Sequence, residues 1–277
     1  MRRHLITGAA SGIGQALAVT LLQRGDAVLA CDINVAALEA LRPHAKSAQQ
    51  LLLQRLDVRD AAQWQEAIAT VRAAWPRLDV LHNIAGVLRP DFIEQITADD
   101  IALQLDVNAK GSMLGTQAAW TLMREQPVGT DGRRGQIVNL GSLASLSPVP
   151  GSAMYAASKF AIRAYTLSVA PELREAGIAI SIVCPDVVAT PMITPHLHRD
   201  AASLIFSGIR TLQAGDVVQA ILQRALDRPA QSPELEIILP RWRGWLCKLG
   251  NVAPALAASL YKLMAAQGRK RQAKHPL

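Results

Sequence analysis

"HLITGAASGIGQALAVTLLQRG", residues 4–25, decides the fold. A short apolar run ends at Gly8, and the residues that follow carry apolar side chains at helical spacing until Gly25 stops them. The stretch reads as strand, tight turn, helix. Within the turn, Gly8 lets the chain reverse and Gly12 lets backbone approach a phosphate with no side chain in the way. Gly14 lets the helix sit close to the sheet. A pyrophosphate there can accept hydrogen bonds from free N–H groups at the positive end of the helix, with Ser11 and Ile13 beside it. A glycine-rich turn can also be purely structural, but a strand before it and a helix after it favour the phosphate reading.

The same alternation continues outward. "AVLACD" (27–32), "LLLQRLDV" (51–58), "LDVLHNIAG" (78–86), "GQIVNLGS" (135–142), "IAISIVCPD" (178–186) and "LEIILP" (235–240) read as further strands. Between them "NVAALEAL", "AAQWQEAIATVRAAW", residues 96–123, residues 155–177 and "AGDVVQAILQRALD" read as helices. Seven short apolar strands separated by amphipathic helices require a parallel sheet covered on both faces. The fold class is therefore α/β, a Rossmann-like doubly wound seven-stranded parallel sheet flanked by helices on both faces. It fills residues 1–240, the catalytic and dinucleotide-binding domain, and leaves 241–277 as a basic, amphipathic C-terminal extension. Two irregular stretches interrupt the pattern. "TPMITPHLHRDAAS" follows the sixth strand, at the sheet end where ligands bind, and reads as a substrate lid. "REQPVGTDGRRG" precedes the fifth strand, at the opposite edge, and reads as a surface insertion.

Composition narrows the function. The 277 residues are 50% hydrophobic and 18% charged, enough apolar material for a substantial core. No long apolar stretch follows the two N-terminal arginines, so no secretory signal is read. Cys31, Cys184 and Cys247 are scattered and odd in number, which speaks against a disulfide framework and a zinc cluster and fits a reducing, cytoplasmic setting. The net charge of +7 suggests nucleic acid only until it is located. Residues 241–277 hold eight Lys and Arg and no acidic residue, which leaves −1 for residues 1–240. The body of the protein is not basic, and no nucleic-acid partner is expected.

Asp32 ends the second strand about twenty residues beyond the glycines, where a carboxylate can accept hydrogen bonds from both hydroxyls of an adenosine ribose. A 2′-phosphate would meet that carboxylate with no cation from Ile33 or Asn34, which favours NAD over NADP. Further along, "YAASK" (155–159) spaces Tyr155 and Lys159 by just over one helical turn, making them neighbours on one face. Bringing a phenol from about 10 to about 7 requires roughly 4 kcal/mol of preference for the phenolate. An ammonium about 5 Å away contributes on the order of 3 kcal/mol at an effective dielectric near 20. The pair is thus capable of acid/base work, although the same spacing also occurs on ordinary solvated helices.

With these residues in view, the sequence resembles the short-chain dehydrogenase/reductase family, in its compact single-domain branch, across residues 1–240. "TGAASGIG" is similar to its nucleotide signature, Asp57 and Val58 to its adenine-contacting strand end, Asn83, Ala85 and Gly86 of "NIAG" to its fourth-strand motif, and "YAASK" to its active-site motif. The resemblance implies strand order 3-2-1-4-5-6-7, commonly a homodimer or homotetramer, and hydride transfer between alcohol and nicotinamide. It assigns the chemistry to Asn108, Ser142, Tyr155 and Lys159. Tyr155 would be the acid or base and Lys159 its activator and ribose ligand. Asn108 would hold a relay water and Ser142 the substrate oxygen. On residue type alone Ser142 reads as a turn serine and Asn108 as a mid-helix polar residue. Pro185, Val188 and Thr190 match the segment that holds the nicotinamide carboxamide. Asp186 stands where the family usually has glycine, and reads either as a turn residue or as a group polarising the substrate pocket. Ile84 likewise replaces a frequent asparagine.

Leu143, Val149, Met154, Val187, Ile193, Leu197 and Phe206 are the expected substrate-facing residues. Their apolar character points to a hydrophobic secondary alcohol or ketone. His196 and His198 read as solvated loop residues rather than metal ligands. Two further readings of the whole chain are an NADP-dependent carbonyl reductase and a non-catalytic dinucleotide-binding sensor or scaffold. The tail places Leu249, Leu256, Leu260, Leu263 and Met264 at helical spacing, with Trp242, Trp245 and several cations. It reads equally as an interfacial helix making peripheral contact with anionic lipid or as a helix packed on a partner subunit.

Overall fold

Leu5 and Ile6 are adjacent in sequence and both fully buried, yet they belong to different cores. Successive strand residues point to opposite faces, so an unbroken apolar strand must be covered on both sides. The computed structural model, which describes residues 1–228 and 234–272, shows this arrangement. Seven strands, β1 (Arg3–Thr7), β2 (Ala27–Asp32), β3 (Leu51–Arg55), β4 (Val80–Asn83), β5 (Gly135–Leu140), β6 (Ile178–Pro185) and β7 (Glu236–Leu239), form one sheet. Every pairing is parallel and the order is 3-2-1-4-5-6-7, as expected.

Helix α1 (Gly12–Gln23) and α6 (Ala214–Ala220) cover the Ile6 face. Helices α2 (Ala61–Ala74), α4 (Gly111–Met123) and α5 (Ala153–Glu175) cover the Leu5 face, with Trp64 at the centre of that core. The strand order reverses between β1 and β4, and the crevice beyond their carboxyl ends is where ligands bind in such sheets. Thr7 fastens the two lips of this crevice: its Oγ1 accepts from the N–H groups of Ile84 and Ala85 at 3.1 and 3.2 Å.

One expectation is corrected. The helix over 96–123 is interrupted, with α3 (Ala98–Gln104) joined to α4 by a π-helical turn at Leu105–Lys110. The wider turn rearranges the backbone around Asn108, and such π turns frequently mark functional sites. The loop over 124–135 lies mostly at the surface, as expected, and is anchored at Gln126 and Arg133. Gln126 accepts from Leu78 N–H and donates to Leu78 and Arg134 carbonyls, while the buried Arg133 donates to Gln136. Finally, the extension forms α7 (Arg241–Val252) and α8 (Pro254–Gln272), and α8 lies along the lid segment Asp200–Ser207 of its own chain. The tail reading at Leu256 falls on a side chain outside the described set. Among the described residues no helix is long and apolar enough to cross a membrane.

Candidate active site

One cavity of about 1190 Å³ runs from the glycine turn to the C-terminal helices. At its first end, Gly8 and Gly12 have φ of +69° and +54°, a backbone region that side chains disfavour. A Cβ on Gly8 would lie 2.8 Å from Ala85 Cα, and one on Gly14 would lie 2.1 Å from the Gly8 carbonyl oxygen. Gly14 therefore seats α1 against the turn itself. Ser11 precedes α1 in an extended conformation and its hydroxyl makes no capping bond, leaving first-turn N–H groups available to a ligand. Gly8, Ser11, Gly12, Ile13 and Gly14 all line the cavity. This Cβ-free cradle at a helix N-terminus fits a dinucleotide pyrophosphate.

Asp32 lies in the same wall, its carboxylate accepting from Ala10 N–H at 3.1 Å and Asn34 N–H at 2.9 Å. Its register partner Arg55 donates to Gln63, and Arg59 pairs with Asp57 at 2.6 Å. Asp57, Val58, Ala85, Gly86, Pro185, Val188 and Thr190 also line the cavity. Asn83 does not. It is buried, and its amide donates to Ser112, Thr116 and Asn139, so it ties β4 to β5 and α4 behind the cofactor end.

Midway along, Tyr155, Lys159 and Ser142 converge. The Ser142 hydroxyl accepts from Ala144 N–H at 3.1 Å and lies close enough to the Tyr155 phenol to bear on its pKa. Ser142 is thus a turn serine and a site residue at once. Lys159 Nζ lies 5.7 Å from the Tyr155 ring centroid and donates to the Leu140 carbonyl at 2.8 Å. Tyr155 keeps part of its surface open to the cavity, yet burial of the phenol pushes its pKa up to about 12, against the hydrogen bond from Ser142. Burial also lowers Lys159 to about 8. The ammonium alone therefore does not bring the phenol towards 7: desolvation acts on both groups and outweighs their attraction. The protein's own groups leave the phenol protonated.

Asn108 sits in the π turn, buried and outside the cavity lining. Its side chain accepts from Val87 N–H at 2.8 Å and donates to the Val87 carbonyl and to Ser158 Oγ. A Cβ on Gly86 would come within 3.1 Å of Asn108 Oδ1 and 3.7 Å of Lys159 Nζ. Asn108 is therefore close to Lys159, but its bonds hold the Gly86–Val87 backbone that floors the site.

At the far end, Leu143, Val149, Val187 and Ile193 line the cavity as expected, whereas Met154, Leu197 and Phe206 do not. Leu197 and Phe206 instead form a small core with Val187, Ile193 and Ala202 beneath the lid. His196 is buried rather than solvated, with Nε2 at 3.1 Å from the Leu88 carbonyl. The described residues contain no cluster of metal ligands.

The rest of this end was not foreseen. Trp242, Leu246, Leu249, Val252, Leu260 and Met264 of α7 and α8 complete the lining. Asp186 is neither a plain turn residue nor a free carboxylate. Its Oδ2 lies 3.1 Å from Arg243 Nε, and both side chains are largely buried. The sequence signal for Arg243 was an acid in a family glycine position, in a chain whose tail carries only cations.

Comparison with known proteins agrees with this geometry. The sequence matches the family model described as short chain dehydrogenase over residues 2–200. A 3-oxoacyl-[acyl-carrier-protein] reductase of Thermotoga maritima is 34% identical over 227 residues, covering 80% of this chain and 89% of that protein. A 3-beta-hydroxysteroid dehydrogenase of Comamonas testosteroni is 34% identical over 197 residues, covering 70% and 74%. Among solved structures, that of levodione reductase superposes with a TM-score of 0.76 at 26% identity, over 88% of this chain and 97% of the other.

Proposed function

The chain belongs to the short-chain dehydrogenase/reductase family, and from that premise we propose that it interconverts a hydrophobic secondary alcohol and its ketone, with NAD preferred and Tyr155 as acid and base. Membership makes it a nicotinamide-dinucleotide oxidoreductase acting on CH–OH groups. The observation that carries the finer reading is the meeting of Ser142, Tyr155 and Lys159 on the cavity wall between its glycine-lined and its apolar halves.

The dinucleotide, when bound, supplies or accepts the hydride. Tyr155, held protonated, donates its proton to the carbonyl oxygen in reduction. Ser142 accepts from Ala144 N–H, so its O–H, which faces the Tyr155 phenol, can turn to the substrate oxygen on which charge develops. In oxidation the phenol must release its proton, and the Lys159 ammonium then opposes the effect of burial. Asp32 supports NAD because Arg55, its register partner, and Arg59, which lines the same cavity, are engaged elsewhere. The names of the two relatives, one a 3-oxoacyl reductase and one a hydroxysteroid dehydrogenase, support a bulky apolar substrate without choosing among such molecules.

The test is a panel of hydrophobic alcohols and ketones assayed in parallel with NAD(H) and NADP(H), with Tyr155→Phe as control. Turnover is expected with NAD(H) favoured, and a loss of about 10³-fold in kcat for Tyr155→Phe. Unchanged activity in that variant overturns the acid/base assignment, and a strong NADP preference overturns the role of Asp32. The exposed Trp245 and Leu263, which stay outside the cavity lining in a segment without acidic residues, also support peripheral contact with anionic lipid. Co-sedimentation with phosphatidylserine vesicles that is lost in Trp245→Ser/Leu263→Ser is the expected result, and equal sedimentation of both proteins overturns it.

A further inference from the structure

The departure of Asp186 from the family's glycine has a partner. Arg243, at the start of α7, places Nε 3.1 Å from Asp186 Oδ2 and donates from Nη2 to Ser207 Oγ at 2.7 Å. Three segments therefore meet at one guanidinium: the end of β6, the end of the lid and the first turn of α7. Gly208 leaves the space for them, since a Cβ there would lie 2.5 Å from Arg243 Nη1 and 2.7 Å from Asp186 Oδ2. A second attachment lies further along. Gln272 donates to the carbonyls of His196 and Arg199, and Arg271 donates to those of Ser207 and Gly208. A Cβ on Gly268 would come within 1.8 Å of the Ser203 carbonyl oxygen, so α8 lies directly against the lid backbone.

The charges in the cavity are arranged to match. Its lining contains Asp32, Asp57 and Arg59 at the adenosine end, Lys159 at the reacting centre, and Asp186 with Arg243 at the far end. Because the last two neutralise each other, the far end presents apolar walls and no unpaired charge from its lining.

We propose that Asp186 and Arg243 form a latch that holds α7 and α8 as a wall of the substrate chamber, so that residues 241–272 select elongated, uncharged apolar ketones and alcohols over short ones. The inference rests on the alcohol/ketone reading above and adds to it a specificity element outside the family's catalytic residues. Breaking one partner leaves a buried charge alone, whereas removing both does not. A single variant therefore perturbs both attachment and charge, and the double variant attachment only.

The test compares full-length wild type, Arg243→Met, Asp186→Gly/Arg243→Met and Arg243→Lys, using 2-butanone and 2-decanone with NADH. Wild type is expected to favour 2-decanone in kcat/KM. In Arg243→Met and in the double variant this preference falls at least tenfold, through a higher KM for 2-decanone rather than through kcat, and Arg243→Lys restores part of it. Trypsin digestion, followed by mass spectrometry, reads attachment independently of turnover: cleavage within 241–272 is expected to quicken at least fivefold in both latch-broken variants. Should wild type reduce neither ketone, the alcohol/ketone reading fails, and with it the selection claim, while the trypsin result still reports on the latch. An unchanged preference in the double variant overturns the role in selection. An unchanged cleavage rate overturns the latch.

Discussion

The two ends of the cavity are built from different material. The dinucleotide end is mostly backbone: a turn whose shape depends on Gly8, Gly12 and Gly14, a helix N-terminus, and one carboxylate held by two N–H groups. The substrate end is side chains, brought together from segments as far apart as Leu88 and Met264. A backbone site tolerates almost no added atom, because a Cβ on Gly8 or Gly14 meets main chain that cannot move aside. A side-chain site can be reshaped one residue at a time, and this is how one fold serves many substrates.

That contrast is breakable. The largest effect is expected at Gly14→Val, whose Cβ would collide with the Gly8 carbonyl at 2.1 Å. Losing two or more charge-assisted bonds to phosphate lowers NADH affinity by about 100-fold or more, read by fluorescence titration. Leu246→Ala, at the other end, is expected to raise the KM of a bulky ketone severalfold and to leave NADH affinity within about twofold. Equal effects of the two variants on NADH binding break the comparison.

A smaller effect is expected from pH, and it belongs to neither end. Burial brings Lys159 down to about 8, so this amine is charged below that pH and neutral above it, while Tyr155, near 12, stays protonated throughout the working range. Ketone reduction, measured as kcat/KM, is therefore steady below pH 8 and declines above it, by at most tenfold per unit. In Lys159→Arg the guanidinium keeps its charge, and the break near 8 disappears whatever the absolute rate. A break that persists in that variant assigns the titration to another group.

The contrast also explains what was legible in the sequence. The glycine turn, Asp32 and the seven strands are local or periodic features, read directly from the chain, whereas the strand order came from the resemblance. Ser142, Tyr155 and Lys159 meet along one cavity, and for these the resemblance supplied the roles. Asn108 and Asn83 match the family pattern too, but their amides hold backbone and neighbouring elements and do not face the cavity, which residue type and spacing do not announce. The lid was read only in part. Its 3-10 turns at Thr194–His196 and Asp200–Ser207 follow neither a strand's nor an α-helix's period, so Leu197 and Phe206 turned into a small core where a substrate-facing position was expected. The wall from α7 and α8 could not be read at all, because nothing local to Trp242 or Met264 says against which segment they fold.

The placement of that wall has a consequence for how the protein is made. Synthesis proceeds from the N-terminus, and domains begin to fold as they emerge. Every residue of the dinucleotide cradle and of the Ser142–Tyr155–Lys159 group precedes residue 191, whereas α7 and α8 begin at Arg241. The sheet and its covering helices are complete at Leu239, before the helices that wall the chamber are made. Selectivity is the last property this polypeptide acquires, and a fusion placed after residue 272 would be attached to the part that confers it.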